Sequence, residues 1–475
     1  MGELLTPDIC VIGAGSGGLS VAAAAAAFGV PVVLIEKARM GGDCLNTGCV
    51  PSKSLIAAAK HARAITHARA FGISARVSGV DFAAVHKHIH DVIAGIAPND
   101  SSERFTGLGV RVIAGAARFR DAETVTVDDE LEIKARRFVI ATGSLPTVPP
   151  IPGIKQTPYL TNETVFDLTI LPTHLIIIGA GPVGLELAQA FRRLGAKVTV
   201  LDVAQALARE DDECAAIVLD ALAEEGVDLR TNAAVARVEA LDPGVKVVVR
   251  ADGGEESITG SHLLLAAGRR ADVGELGLDQ AGIRYDGGGI LVDKGLKTTN
   301  RRVYAIGDVA GGAQFTHLAG YHAGLVIRNA LFRLPVKVNE DIIPRVTFTD
   351  PELAHVGLCE ADARSRRMRF KVLRWPYHEI DRARAERETR GHIKVITSAR
   401  GRILGATIVG ANAGELIATW ALAVSKRLNV RTLAGMVIPY PTFAEVGKRA
   451  AMTYFLPGAR SPMVRRVIAF LRRFG

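Results

Sequence analysis

One arrangement occurs twice in this 475-residue chain. An apolar run from Asp8 to Ile12 meets the turn Gly13-Ala-Gly15-Ser-Gly-Gly18, an Ala-rich helical stretch follows, and a second apolar run ends at Glu36. Leu175 to Ile178 meets Gly179-Ala-Gly181-Pro-Val-Gly184, then a helical stretch, then a run ending at Asp202. The interval from first glycine to acid is 23 residues in both copies. Each copy reads as strand, tight turn, helix, strand, acid. The first glycine permits the turn, the second lets the backbone approach a pyrophosphate, and the third lets helix and strand pack closely. Phosphates then lie at a helix N-terminus, where free N–H groups and the dipole favour negative charge. The acid accepts hydrogen bonds from a ribose hydroxyl. With 49 glycines in the chain, one such turn would be a weak signal and could be a strand-to-helix turn without a ligand. Two copies in the same context argue for two dinucleotide sites.

Each copy closes on a further matched strand. Phe138-Val-Ile-Ala-Thr142-Gly143 and Leu263-Leu-Leu-Ala-Ala-Gly268 are apolar runs ending on small residues, where a backbone can approach a ligand. Gly13 to Gly143 spans 130 residues and Gly179 to Gly268 spans 89. The extra length of the first copy holds Cys44 and Cys49. The proline-rich segment from Pro146 to Gly153 reads as a stiff linker between the copies. From about Asp341 strands and helices alternate without a nucleotide turn, which predicts a third domain.

The segment Gly41-Gly-Asp-Cys44-Leu-Asn-Thr-Gly-Cys49-Val-Pro-Ser-Lys53 lies between the first acid and a helical stretch. A thiol at a helix start has its thiolate stabilised by the dipole, and Lys53 adds positive charge one turn away. A structural disulfide or half of a metal site are the alternatives. So small a loop gains little from a structural disulfide, and no second Cys or His cluster follows to complete a metal site. Redox activity is the better reading.

This segment closely resembles the redox signature of the flavin-dependent pyridine nucleotide–disulfide oxidoreductases, which include dihydrolipoyl dehydrogenase, glutathione reductase and mercuric reductase. The resemblance spans nearly the whole chain. It takes in both glycine turns, Ala141-Thr-Gly143, Ala305-Ile-Gly-Asp308 and Phe348-Thr-Asp-Pro-Glu352. It implies an α/β fold of two Rossmann-like dinucleotide-binding domains plus an α+β C-terminal dimerisation domain. The expected division is 1–150 with 275–340 for FAD and the redox disulfide, 151–274 for NAD(P), 341–458 for dimerisation, and 459–475 as a basic amphipathic tail.

By the same resemblance Gly13, Gly15, Gly18 and Glu36 hold the adenosine end of FAD. Thr142 and Gly143 line the FAD site, and Asp308 bonds the ribityl chain. Gly179, Gly181, Gly184, Asp202 and Gly268 serve the nicotinamide dinucleotide. Cys49 is the thiol beside the flavin and Cys44 the interchange thiol facing substrate. Lys53 pairs with Glu186 at the flavin edge. The implied activity passes hydride from NAD(P)H through FAD to the Cys44–Cys49 disulfide and on to an acceptor. An acid at Asp202 bonds a free 2′-hydroxyl and repels a 2′-phosphate. No Arg follows it before Arg209, so NAD(H) is expected over NADP(H); the alternative is that Asp202 is the solvated end of a strand.

One motif departs from the family. Disulfide reductases carry His-Pro-x-x-x-Glu, whose His acts as acid–base on the partner subunit's thiols. This chain reads Tyr440-Pro-Thr-Phe-Ala-Glu445. A phenol, with a pKa of about 10, is a poor base near neutrality where imidazole is well matched. Tyr440 and Glu445 are carried as site residues that complete the partner's site in a homodimer. Mercuric reductases resemble this region better, with Tyr at this place. Their vicinal cysteine pair near the C-terminus is not matched: no cysteine follows Cys359. The reading is a mercuric reductase-like flavoprotein with a small-molecule or metal-ion acceptor, dihydrolipoyl dehydrogenase or another disulfide reductase being the alternative. No metal site of its own is expected.

Charge supplies the last constraint. The net charge is +9, and residues 460–475 hold five arginines and no acid. Val464, Val467, Ile468, Leu471 and Phe474 follow helical spacing there, after Ser461 as N-cap and Pro462 at the first turn. Such a helix either docks on the protein's own dimer surface or contacts an anionic membrane surface or partner protein, in which case the chain is a membrane-associated flavoprotein electron-transfer module passing electrons to a protein or membrane quinone. Nucleic acid is not expected: aromatic residues are 5% and no recognition motif appears. No secretory signal is visible before the strand at Asp8, so a cytoplasmic place is expected, peripheral to the membrane if the tail binds there. Gly2 and Thr6 also fit the loose myristoylation pattern.

Overall fold

The computed structural model describes residues 4–251, 254–459 and 461–474. Gly2 of the myristoylation pattern, and Arg460 and Gly475 of the basic tail, lie outside the described residues. The chain divides into two units: residues up to 203 with 228–338, and residues 204–227 with those from 339 onward.

In the first unit β1 (Ile9–Ile12) enters the glycine turn and α1 (Ser16–Ala27), and the chain returns on β2 (Val32–Glu36). The insertion of the first copy supplies α2 (Gly42–Asn46), α3 (Cys49–His67) and α4 (Phe82–Ile96), before β3 (Val110–Ala114) and β4 (Arg137–Ile140). The second copy repeats the plan with β5 (His174–Ile178), α5 (Pro182–Leu194) and β6 (Lys197–Leu201). Helix α6 (Asp212–Glu224) belongs to the second unit. The chain rejoins the first with β7 (Asp228–Arg230), β8 (His262–Leu265), β9 (Val303–Ala305) and α7 (Thr316–Ala330).

The two copies build the same sheet. Strand order is β9-β4-β1-β2-β3 in the first and β8-β5-β6-β7 in the second, with every pair parallel. Ile12 pairs with Ile35 and Ile140; in the same places Ile178 pairs with Leu201 and Leu265. The central strands β1, β2 and β5 are apolar over nearly their whole length because both faces are covered. Ile9, Val11 and Leu34 pack with Val21, Ala25 and Val326 on one face, while Cys10, Ile12 and Ile35 pack with Phe119 and Phe138 on the other. Successive strands leave β1 in opposite directions toward β2 and β4, so a crevice opens at its C-terminal end. The proline-rich segment is held at its start: Ser144–Pro146 pairs antiparallel with Arg269–Ala271, tying together the ends of the two closing strands.

The second unit is an antiparallel sheet of β10 (Arg345–Thr347), β11 (Glu352–Gly357), β12 (Phe370–Pro376), β13 (His392–Ser398) and β14 (Ile403–Gly410), in the order β10-β11-β14-β13-β12. Helices α8 (Ala413–Ser425) and α9 (Glu445–Thr453) cover it through Trp420, Val446 and Ala450. Helix α6 is anchored in this unit by charge. Lys394, 5% exposed, sets its ammonium 2.7 Å from Asp211, 2.9 Å from Glu360 and 3.2 Å from Glu213. A buried ammonium is tolerated only when paired in this way. Helix α10 (Pro462–Leu471) has Ser461 as N-cap and Pro462 in its first turn, but the Ser461 side chain makes no capping hydrogen bond. Among the described residues no helix is long and apolar enough to cross a membrane.

Candidate active site

The two glycine turns are superposable in their contacts. Gly13 has φ 101° and Gly179 φ 117°, a region open to glycine and costly for other residues. A Cβ on Gly13 would lie 2.5 Å from the Ala141 carbonyl oxygen, and one on Gly179 2.3 Å from that of Ala266. A Cβ on Gly18 or Gly184 would strike the carbonyl of the first glycine at 1.9 and 2.0 Å. The middle glycines differ: Gly15 faces only the Gly42 Cα at 4.0 Å, and Gly181 has nothing within 4 Å. First and third glycines are therefore required by the fold, and the second keeps space clear. The acids close each turn alike. The Ala14 N–H donates to Glu36 at 2.6 Å and the Ala180 N–H to Asp202 at 2.6 Å.

A cavity of about 820 Å³ opens at the end of β1, lined by Gly13, Gly15, Glu36, Asp43, Thr142 and Gly143 among others. Its size, the clear space over Gly15 and the acid at its rim suit a dinucleotide. In its wall Ser144 donates to Asp308 at 2.6 Å. Burial pushes the Asp308 carboxyl up, opposed by Ser144 and Arg269. Arg269 donates to Ser144 Oγ at 2.8 Å and lies 3.3 Å from Asp43. Arg269 and Ser144 escaped the sequence reading, although Arg269 directly follows Gly268.

The sulfurs lie on two short elements. Cys44 is in α2, and Cys49 is the first residue of the 19-residue α3, after Gly48. Both thiols are free. The hydrogen bond from Cys44, the Thr316 hydroxyl and the Lys53 ammonium together lower the Cys49 pKa to about 6 against the cost of burial. Cys44 is pushed the other way by the proton it shares with Cys49 and by burial. Cys10, Cys214 and Cys359 are all raised, chiefly by burial. Of the five cysteines, only Cys49 is thus poised as a thiolate at neutral pH.

Two residues brought from afar complete this environment. Lys53 Nζ lies 2.6 Å from Glu186 of α5, a carboxylate that is 5% exposed. Thr316, the first residue of α7, places its hydroxyl 3.3 Å from Cys49 Sγ. The first pair was expected; Thr316 was not, and no pattern around it marks it in the sequence. Cys44 and Thr316 also line a smaller cavity of about 380 Å³ with Ser16, Ser20, Asp100 and Arg104.

In the second copy Arg230 is registered beside Leu201, the residue before Asp202. Its guanidinium is held by Asp228 at 3.0 Å and Glu256 at 2.8 Å. In the second unit Tyr440 is 69% exposed. Its hydroxyl donates to Asp381 at 2.6 Å, and that carboxylate raises the phenol pKa further. Glu445 is buried, with one oxygen 2.7 Å from Arg449 and the other lacking a hydrogen-bond partner.

Comparison with known proteins gives consistent matches. A family model described as pyridine nucleotide-disulphide oxidoreductase matches residues 7–323, and its dimerisation domain matches residues 343–451. A mercuric reductase of Bacillus cereus is 37% identical over 450 residues, 94% of this chain and 71% of that protein. A dihydrolipoyl dehydrogenase of Geobacillus stearothermophilus is 34% identical over 451 residues, 94% of this chain and 95% of that protein. The solved structure of the HOCl-induced flavoprotein disulfide reductase RclA from Escherichia coli matches with a TM-score of 0.83 at 30% identity, covering 94% of this chain and 99% of that one.

Proposed function

This chain belongs to the pyridine nucleotide-disulphide oxidoreductase family, and we propose that within it the chain is an NADH-dependent, mercuric reductase-like enzyme working through Cys44 and Cys49. The family is FAD-dependent, uses a pyridine nucleotide and acts on a disulfide, and the match to the family's dimerisation domain supports a homodimer. The observation that carries the reading is geometric: Cys49 starts α3, 3.3 Å from the Thr316 hydroxyl, one turn before Lys53, whose ammonium pairs with Glu186.

In this reading residues 1–150 with 275–340 hold FAD, 151–274 hold the nicotinamide dinucleotide and 341–458 pair two copies. Gly13, Gly15, Gly18, Glu36, Thr142, Gly143 and Asp308 serve the first cofactor. Gly179, Gly181, Gly184, Asp202 and Gly268 serve the second. When bound, the cofactors supply the hydride chemistry that reduces a Cys44–Cys49 disulfide to the dithiol. Thr316, Lys53 and the start of α3 hold the negative charge on Cys49, while Cys44 keeps its proton until an acceptor arrives through the smaller cavity. Two sulfurs are soft ligands suited to a soft metal ion. Tyr440, raised by Asp381, is mismatched to the proton transfers that disulfide exchange requires, which favours the metal-ion acceptor over lipoamide. NADH is favoured because an acid at Asp202 would bond a free 2′-hydroxyl and repel a 2′-phosphate, and Arg230 is already committed to two carboxylates. In this reading the dimer is cytoplasmic, with basic α10 as a contact surface.

Anaerobic NADH titration followed by an acceptor panel of mercuric ion, lipoamide, glutathione disulfide and quinones tests this. NADH should bleach the flavin, and mercuric ion should be turned over only with Cys44 and Cys49 both present. A Cys44→Ser enzyme that reduces mercuric ion at the wild-type rate would remove the reading. Asp202→Asn should raise the NADPH to NADH ratio of kcat/KM about tenfold, a like-charge penalty of about 1.4 kcal/mol; an unchanged ratio would remove the NADH assignment.

A further inference from the structure

Helix α10 and the turn that continues it carry two faces. At about 100° per residue, Val464, Val467, Ile468, Phe470, Leu471 and Phe474 fall in one arc of about 160°. Arg465, Arg466, Arg472 and Arg473 occupy the opposite arc, and no acid is present in this segment. None of the ten helical residues is buried. Exposure along the apolar face runs from 39% at Val464 to 74% at Phe474, and Phe470 and Phe474 stack edge to face at 5.1 Å. An uncovered apolar face of this kind marks an interaction site rather than a stable surface.

The geometry points to an anionic phospholipid surface as the occupant: α10 lies flat in the lipid interface and tethers the dimer there. The charge pattern selects this occupant. Arg472 and Arg466 border the apolar arc about 40° beyond Ile468 on one side and Phe470 on the other. Their stems can continue the apolar face while the guanidinium groups reach phosphates at the same depth. A protein groove would cover the apolar face but would leave four arginines with no acid among them on the opposite face without a partner. At about 1.5 Å per residue the helix is near 15 Å long, half of a hydrocarbon core, so it lies along the surface and does not span it. Each arginine close to an anionic surface strengthens binding about fivefold. This inference rests on no part of the redox reading and stands apart from it.

The test is flotation of the full-length, FAD-loaded dimer with vesicles of phosphatidylcholine alone and of equal parts phosphatidylcholine and phosphatidylglycerol. Binding to the anionic vesicles should exceed binding to the neutral ones by about 10²-fold or more and weaken with salt. A fourfold variant, R465Q/R466Q/R472Q/R473Q, should lose that preference, and the pair Val467→Ser and Phe470→Ser should lose binding to both. Both variants should keep the flavin spectrum and dimer mass, which separates lost contact from lost fold. Failure of the wild type to float with anionic vesicles overturns the inference, as does undiminished binding of either variant. A dimer that dissociates when 461–475 are removed, without vesicle binding by the intact protein, assigns the helix to the dimer surface and overturns it equally.

Discussion

The hydroxyl of Thr316 and the sulfur of Cys49 stand 3.3 Å apart although 267 residues separate them in the chain. The contact joins the start of α7 to the start of α3, so two helix N-termini converge on one sulfur. Their dipoles and the Thr316 donor act in one direction, toward thiolate.

Replacing Thr316 by Val removes the donor and keeps the shape. A hydrogen bond to a charged group contributes about 1.5 kcal/mol or more, so the Cys49 pKa should climb by about one unit from its value of about 6. The sign follows from the lowered pKa: thiolate persists above about 6 and is lost as pH falls through it. Ultraviolet thiolate absorbance of the reduced protein, differenced against Cys49→Ser, reads the midpoint. An unmoved midpoint in Thr316→Val would show that the hydroxyl does not bond the sulfur.

Lys53 and Glu186 make a second long-range pair, at 2.6 Å. Lys53→Met should slow flavin reduction by NADH about 10²-fold, the usual cost of a misplaced reacting group. Stopped-flow bleaching under anaerobic conditions measures it. Glu186→Gln keeps the volume and should show a smaller loss; a larger one would mean that Lys53 matters only as a partner for the carboxylate.

The glycines separate folding from binding. Gly184→Ala drives a Cβ to 2.0 Å from the Gly179 carbonyl and should destabilise the protein by about 1–3 kcal/mol or more. Gly181→Ala meets nothing within 4 Å, so thermal unfolding should stay unchanged while KM for NADH rises about tenfold. Equal stability losses in both would contradict the division of roles.

Tyr440 offers a gain-of-function trial. Tyr440→His puts a base matched to neutral pH at this place and should raise dihydrolipoamide turnover by about 10²-fold, the lower end of general acid–base contributions. No gain would show that this position does not reach the thiols of the partner subunit.

Lys394 holds α6 in the second unit. Lys394→Met leaves buried Asp211 without its counter-ion, while Glu360 keeps Arg364 and Arg374, and should cost about 3 kcal/mol of stability, read as a lower midpoint in chemical unfolding. A near-wild-type midpoint would mean that Asp211 finds another partner.

Taken by itself, the sequence determined the repeated part of this protein. Gly13 to Glu36 and Gly179 to Asp202 could be read as one plan because each turn is local. A glycine forced to positive φ, a helix start and an acid that reaches back to the turn all sit within 23 residues. The Cys44–Cys49 spacing and Lys53 one turn later were legible for the same reason. Only the tertiary structure revealed Thr316 beside Cys49, because that contact joins helix starts 267 residues apart. Arg269, Ser144 and Asp308 likewise meet through strand pairing between distant segments, and α6 joins the second unit through Lys394, which lies 183 residues beyond Asp211. Local geometry is written in neighbouring residues, whereas electrostatics sums over whatever the fold brings within a few ångströms.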